Sequence, residues 1–227
     1  MALYHFRASV ISRGQGQSVV AAAAYQARER LRDERTGEVK DYTRKTERQA
    51  LLFSGLYAPK NAPAWASDRE QLWNQAEAAE SRKDAQTARR IELALPHELT
   101  PEQNRYALQD FSRETYTRKG YVVDAAIHGP EAGGDARNLH AHLLISLRTL
   151  DAHGFSPTKD RSQNSRDTLG QWREAWAKTA NRHLERHGHA ARIDHRSLEA
   201  QGVAREPTQH LGPTATQIER EGKRSER

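Results

Sequence analysis

The sequence predicts an α+β fold: a central, mostly antiparallel sheet with helices packed on one face. Two observations carry that expectation. Segments that alternate polar and apolar residues with period two interleave with segments of helical spacing. The strand-like runs 121–128 and 139–148 are joined by a loop too short for the crossover that parallel strands need. These two runs therefore pair as antiparallel neighbours, and helices cover the sheet they start.

Each element follows from local pattern. Tyr4, Phe6, Ala8 and Val10 alternate through a first strand, 2–12, closed by the turn Arg13-Gly14-Gln15-Gly16. Ser18 is placed to cap a helix rich in Ala and Arg that runs to about Asp33, with Thr36-Gly37 ending it. Residues 37–60 read as short strands and loops around Tyr42, Leu51, Leu52 and Phe53. A helix is expected over 66–82, with Trp73 on its apolar face. Ile91, Leu93 and Leu95 alternate with Glu92 and Ala94 in a strand that Pro96 stops. Thr100-Pro101-Glu102 supplies a cap, a proline at the first helical position and an acid in the first turn. The helix it starts packs through Ala107, Leu108 and Phe111 and ends near Gly120.

The strand 121–128 puts Tyr121, Val123, Ala125 and Ile127 on one face, and Val122, Asp124, Ala126 and His128 on the other. After a Gly-rich loop, the strand 139–148 has an apolar face of Leu139, Ala141, Leu143, Ile145 and Leu147. Its opposite face carries His140, His142, Leu144, Ser146 and Arg148. A long helix, 166–187, packs through Leu169, Trp172, Trp176, Ala180 and Leu184, which makes its tryptophans core residues. The last forty residues are polar. Residues 1–195 read as one domain, and 196–227 as a polar extension or the start of a linker to a further region. The charged run 219–227 reads as a helix or tail, and its abrupt end fits a chain that continues into another domain.

Composition narrows the chemistry. The 227 residues contain no cysteine, which excludes disulfides, thiolate catalysis and Cys-ligated zinc. The longest apolar run, Val19 to Ala24, is far short of the ~20 residues of a membrane span. No basic segment followed by an apolar one stands at the N-terminus, so a cytoplasmic protein without membrane insertion is expected. The net charge of +6 points to an anionic partner such as nucleic acid. Arg28, Arg30, Arg32, Arg35, Lys40, Arg44, Lys45 and Arg48 crowd one stretch, with acids between them. That stretch is either a phosphate-binding strip or a solvated surface. No phosphate-cradling Walker motif is present.

His140 and His142 lie on one strand face, and His128 on the partner strand has the matching parity. Three neutral imidazoles brought together by a hairpin make a metal site with positions left open for water and substrate. The alternative is a polar strand face. Imidazole suits zinc, manganese, nickel or copper, while phosphate chemistry often uses magnesium or manganese. Tyr25 follows a run of small residues and is the only long group on its turn; alone, it reads as a helix anchor or as a functional group.

These residues resemble the MobA/MobL class of plasmid mobilisation relaxases. The resemblance is carried by Tyr4-His5-Phe6, by Ile11 to Ser18, and by Ala21 to Tyr25. It extends through Asp33 to Gly37, Asp41-Tyr42-Thr43, Glu92 to Pro96, His128 with Asn138 to Leu143, and Ile193 to Ser197. The resemblance implies an HUH-endonuclease fold, with Tyr25 as nucleophile and His128, His140 and His142 holding a divalent metal. That metal would be Mn²⁺ or Mg²⁺, with Zn²⁺ or Ni²⁺ in a crystal. Glu92 would orient a histidine near the metal. Many relatives have proline before the first histidine of the pair, where this chain has Leu139; the histidine spacing is kept. The implied activity is site- and strand-specific nicking at a transfer origin through a 5′-phosphotyrosine, followed by rejoining. Arg13, Arg28, Arg32, Arg44 and Lys45 would contact DNA, and Tyr42 or Phe53 would stack on bases. Implied partners are single-stranded origin DNA with an adjacent hairpin, accessory relaxosome proteins and a type IV coupling protein, with passage into the recipient cell. Competing classes are a rolling-circle replication initiator, a catalytically silent DNA-binding module and a hydrolytic three-His phosphodiesterase.

Overall fold

The computed structural model describes residues 4–44, 49–132 and 135–204. The chain divides into two units, Met1–Asp194 and His195–Arg227. In the second, the described residues form a turn in which the Ser197 hydroxyl accepts the Ala200 N–H. The charged run 219–227 lies outside the described residues.

In the first unit, β1 (Phe6–Ser12) leads into α1 (Val19–Ala27), the hairpin β2 (Arg30–Arg32) and β3 (Val39–Asp41), and then β4 (Gln49–Tyr57). Next come α2 (Arg69–Ala78), β5 (Gln86–Ala94) and α3 (Pro101–Thr115). The strands β6 (Val123–Glu131) and β7 (His140–Ser146), a small hairpin β8 (Leu150–Asp151) and β9 (Gly154–Phe155), and α4 (Arg166–Arg186) complete it. Five strands form one sheet in the order β1-β5-β7-β6-β4. Every neighbouring pair in it is antiparallel. None of the described helices is long and apolar enough to cross a membrane.

Both faces of the sheet are covered, not one as the pattern suggested. Ile91, Leu93, Ile127, Ala141 and Leu143 pack against Leu108 and Phe111 of α3 and Trp172 and Trp176 of α4. On the other face, Ala88 and Leu144 pack with Val19, Val20, Ala23 and Ala24 of α1 and Leu72 and Trp73 of α2. The second face looked solvent-facing because histidines and a serine share its parity on β7. It is buried because the alanines of α1 let that helix lie close against the sheet.

Two boundaries also differ from expectation. The first helix stops at Ala27 instead of running to about Asp33. Ser18 caps it by accepting the Ala21 N–H, but Arg28 enters the left-handed region at φ 56, ψ 39 and ends it. Asp33, fully buried, accepts the Ser18 hydroxyl at 2.6 Å and the Thr36 N–H. It thereby folds the following hairpin back onto the helix start, an override of the local preference of Ala and Arg for helix. The stretch 37–60 contains a nine-residue edge strand, β4. By contrast, α3 begins as read, with Thr100 and Gln103 forming a reciprocal capping box.

A buried ionic cluster ties the site-bearing face together. The Asp124 carboxylate, wholly buried on β6, accepts from Arg69 Nε at 2.9 Å and from Trp73 Nε1 at 2.9 Å. Arg69 also reaches the Ser54 hydroxyl on β4 and the carboxylate of Glu29. Gln26 of α1 donates to the Asp124 carbonyl. Asp124→Ala would strand a buried guanidinium and an indole N–H, so urea denaturation is expected to show a loss of about 3–5 kcal/mol. Glu29→Ala, at the exposed end of the cluster, should cost less than about 1 kcal/mol. Similar losses for both would mean that Asp124 does not organise the cluster.

Candidate metal centre and nucleophile

The β6–β7 register sets His128 directly opposite His140 and Ala126 opposite His142. All three imidazoles therefore rise from the face that α1 covers. Ring centroids are 4.7 Å apart for His128 and His142, 5.1 Å for His140 and His142, and 5.8 Å for His128 and His140. One ring nitrogen from each lies within 4.8 Å of those of the other two. His128 is buried, and the other two are partly exposed.

Hydrogen bonds assign two tautomers. His128 Nε2 meets the Gln26 carbonyl at 2.7 Å, so Nε2 carries the proton and Nδ1 the lone pair. His140 Nδ1 meets the Asn138 carbonyl at 3.2 Å, so Nε2 carries the lone pair. The donor set, three nitrogens with no carboxylate among them, suits a divalent cation that keeps open positions.

Tyr25 projects from α1 with 39% of its surface exposed, while Ala22, Ala23, Ala24, Gln26 and Ala27 around it are buried. Its neighbour Gln26 holds His128 through the carbonyl just described, so the helix turn bearing Tyr25 sits on the histidine face. The Tyr25 and Tyr42 rings pack edge-to-face, with centroids 5.4 Å apart and an interplanar angle of 82°. The Arg28 guanidinium lies 4.8 Å from the Tyr25 centroid. Tyr42, expected as a base-stacking group, packs on Tyr25. Phe53 packs against the core on the α3 side.

Glu92 faces the same way and stands opposite His142 in the β5–β7 register. It is not one of the three converging groups, and among the described residues no hydrogen bond joins it to His142.

The arginines expected on DNA divide. Arg13 does not fit a phosphate contact, because its donors are spent inside the protein. Its Nε bonds Glu77 Oε2 at 2.8 Å, and its two terminal nitrogens bond the carbonyls of Glu77, Glu80 and Arg82. Arg28 is buried beside Tyr25, with its guanidinium over that ring. Arg32 and Arg44 are exposed, and Lys45 lies outside the described residues. Sequence reasoning missed Gln26 and Gln49. Gln49 Nε2 donates to the Gly129 carbonyl at 3.1 Å and sits 3.3 Å from His140 Nε2. No spacing rule marks it, because it reaches the site only through two register slips between β4 and β6.

The model of the MobA/MobL family matches residues 17–221. The mobilization protein MobL of Acidithiobacillus ferridurans is 38% identical over 249 residues, covering 97% of this chain and 64% of that protein. The chain thus spans less than two thirds of that relative's length. A solved structure on the molecular basis of vancomycin resistance transfer in Staphylococcus aureus superposes with a TM-score of 0.77 at 35% identity, over 86% of this chain and all of that one. The conjugative relaxase TrwC, solved metal-free with oriT DNA, shares the fold with a TM-score of 0.53 at 12% identity, over 84% of this chain and 72% of that one.

Burial also governs the charge state of His128 and His142. Desolvation holds the His128 imidazolium down to a pKa of about 4, helped by nearby Arg28 and His140. Desolvation and the neighbouring histidines hold His142 to about 3. Both lie below the ordinary value of about 6.5, so the unfolded chain binds more protons as pH falls below it. Folding stability of the metal-free protein is therefore full above that value and declines as pH drops toward the folded values. Thermal melts from about pH 7 to about pH 5 should show this decline, and His142→Gln should remove on the order of 1 kcal/mol of it. An unchanged pH slope in that variant would mean His142 ionises as it does in water.

Proposed function

The chain belongs to the MobA/MobL family, and from that premise we propose that it is a relaxase domain that cuts one DNA strand at a plasmid transfer origin and later rejoins it. One observation carries this reading. Tyr25 is exposed on a helix whose next residue holds His128, over the face where three imidazoles converge.

An enzyme that must rejoin what it cuts cannot use water, since hydrolysis dissipates the phosphodiester. Here the Tyr25 hydroxyl oxygen attacks phosphorus, and the Oη–P bond forms as the bond from phosphorus to the 3′ oxygen breaks. The phenol proton passes to solvent, and the departing oxygen takes up a proton to become a 3′-hydroxyl. One ester replaces another, so the reverse attack by a 3′-hydroxyl reseals the strand. A phenol with an ordinary pKa near 10 is a poor nucleophile at neutral pH. A Mn²⁺ or Mg²⁺ ion held by His128, His140 and His142 would polarise the phosphoryl oxygens and offset the charge that develops on them.

The chain's own residues do the positioning. Neutral imidazoles leave the charge of a bound cation undiminished. Tyr42 and Arg28 both pack on the Tyr25 ring. Glu92, which stands opposite His142 on the neighbouring strand without a hydrogen bond to it, would orient the His142 imidazole once a cation is bound. Arg32, Arg44 and Lys45 contact backbone phosphates. Residues 1–195 are the nicking domain, and 196–227 are a polar extension of it or the start of a linker. Its partners are single-stranded origin DNA with a hairpin, accessory relaxosome proteins and a type IV coupling protein. It works in the bacterial cytoplasm and passes to the recipient with the DNA.

Incubating the chain with a single-stranded transfer-origin oligonucleotide and Mn²⁺ should give a covalent protein–DNA band on a denaturing gel. Tyr25→Phe and chelator should each abolish it. Cleavage that persists in Tyr25→Phe without the band would overturn transesterification in favour of hydrolysis. His140→Ala should slow cleavage at least about a hundredfold, more than loss of an outer partner would. Its DNA affinity should stay close to wild type, since binding rests on phosphate contacts.

A further inference from the structure

We propose that Arg28 and Gln49 form a positioning relay that ties the orientation of the Tyr25 ring to His140. The inference rests on reading Tyr25 as nucleophile and the histidines as a metal site.

The backbone of Arg28 is the first sign. Among the described residues it is the only non-glycine with positive φ. That conformation is strained for an L-residue, and glycine adopts it freely. The burial of Arg28 is the second. Its Nε is buried without a hydrogen-bond partner, which adds a further cost. An arginine stands where glycine would be easier, so the contacts of its side chain are what offset these costs.

That side chain makes three contacts, all toward the site. The guanidinium lies over the Tyr25 ring. NH1 donates to the Tyr25 carbonyl at 3.1 Å, and NH2 donates to Gln49 Oε1 at 2.9 Å. The Gln49 amide then donates to the Gly129 carbonyl and faces His140 Nε2 at 3.3 Å. Partner chemistry fixes every direction. Arginine only donates and a carbonyl only accepts, so the Gln49 oxygen faces Arg28 and its nitrogen faces Gly129. His140 Nδ1 already donates to Asn138, so its Nε2 accepts from Gln49. The register slips at Gln49/Leu51 and Leu51/Phe53 bring Gln49 to this position, as bulges beside functional sites commonly do.

The contacts run unbroken from the Tyr25 ring through Arg28 and Gln49 to His140. They give Gln49 two opposed effects. Its amide proton occupies the His140 lone pair that a cation would use, so Gln49 weakens metal binding. Its oxygen anchors Arg28, so Gln49 also steadies the nucleophile. A residue with a merely structural role would not separate the two.

Calorimetric titration of Mn²⁺ into the full chain without DNA, and the single-turnover rate of adduct formation at saturating Mn²⁺ and oligonucleotide, test the relay. Gln49→Leu should bind Mn²⁺ about two- to tenfold more tightly, the factor matching one lost hydrogen bond, yet form the adduct at least about tenfold more slowly. Arg28→Lys keeps the charge but loses the fork. It should slow adduct formation similarly with Mn²⁺ affinity unchanged, and it serves as the test if Gln49→Leu does not fold. Wild-type values for either readout in Gln49→Leu, or a wild-type adduct rate in Arg28→Lys, overturn the relay. Failure of the wild-type chain itself to bind Mn²⁺ would instead overturn the metal reading beneath it.

Discussion

The pairing of β6 with β7 is the constraint on which the site depends. In that register His128 stands across from His140, and the apolar residues of both strands turn to the other face. Side chains alternate along a strand, so a slip of one residue would send either His128 or the His140–His142 pair into the core beneath α3 and α4. Val123, Ala125 and Ile127 on one strand and Ala141, Leu143 and Ile145 on the other are buried there. Their burial resists the slip. The histidine face is thus held in place by hydrophobic packing on the opposite side of the same sheet.

The helix over that face is placed by polar contacts of a different kind. Gln26 uses its side chain on the Asp124 carbonyl and its own carbonyl on His128, so one residue fixes α1 to the strand and orients a histidine of the triad. Asp124 in turn holds Arg69 and Trp73, which draws α2 to the same face. Small residues on α1 allow this close approach and leave Tyr25 as the long group facing outward. Burial that the packing imposes also keeps His128 and His142 unprotonated. The state a cation requires is therefore a by-product of the fold's compactness.

Much of this was legible beforehand, for definite reasons. Alternation along 121–128 and 139–148 reported the faces of β6 and β7, and the short loop between them reported their antiparallel pairing. The three histidines and the cap of α3 followed from the same local rules. The end of the first helix did not. Ala and Arg favour helix through Arg32, but Arg28 turns left-handed and Asp33 is bonded back to Ser18. Cover on both faces was equally hidden, because Leu144 shares its parity with histidines and its burial depends on α1.

The residues' own chemistry and periodicity determined that three imidazoles share one strand face and that Tyr25 follows a run of small residues, because periods of 2 and 3.6 are properties of a single element. Tertiary structure alone decided what each polar group does. Arg13 looked like a phosphate contact and is bonded to Glu77, 64 positions away. Gln49, in a stretch that read only as short strands and loops, reaches His140, 91 positions away. A charge or an amide takes its role from whichever partner folding brings within about 3 Å. Such partners come from distant segments, which no local period encodes.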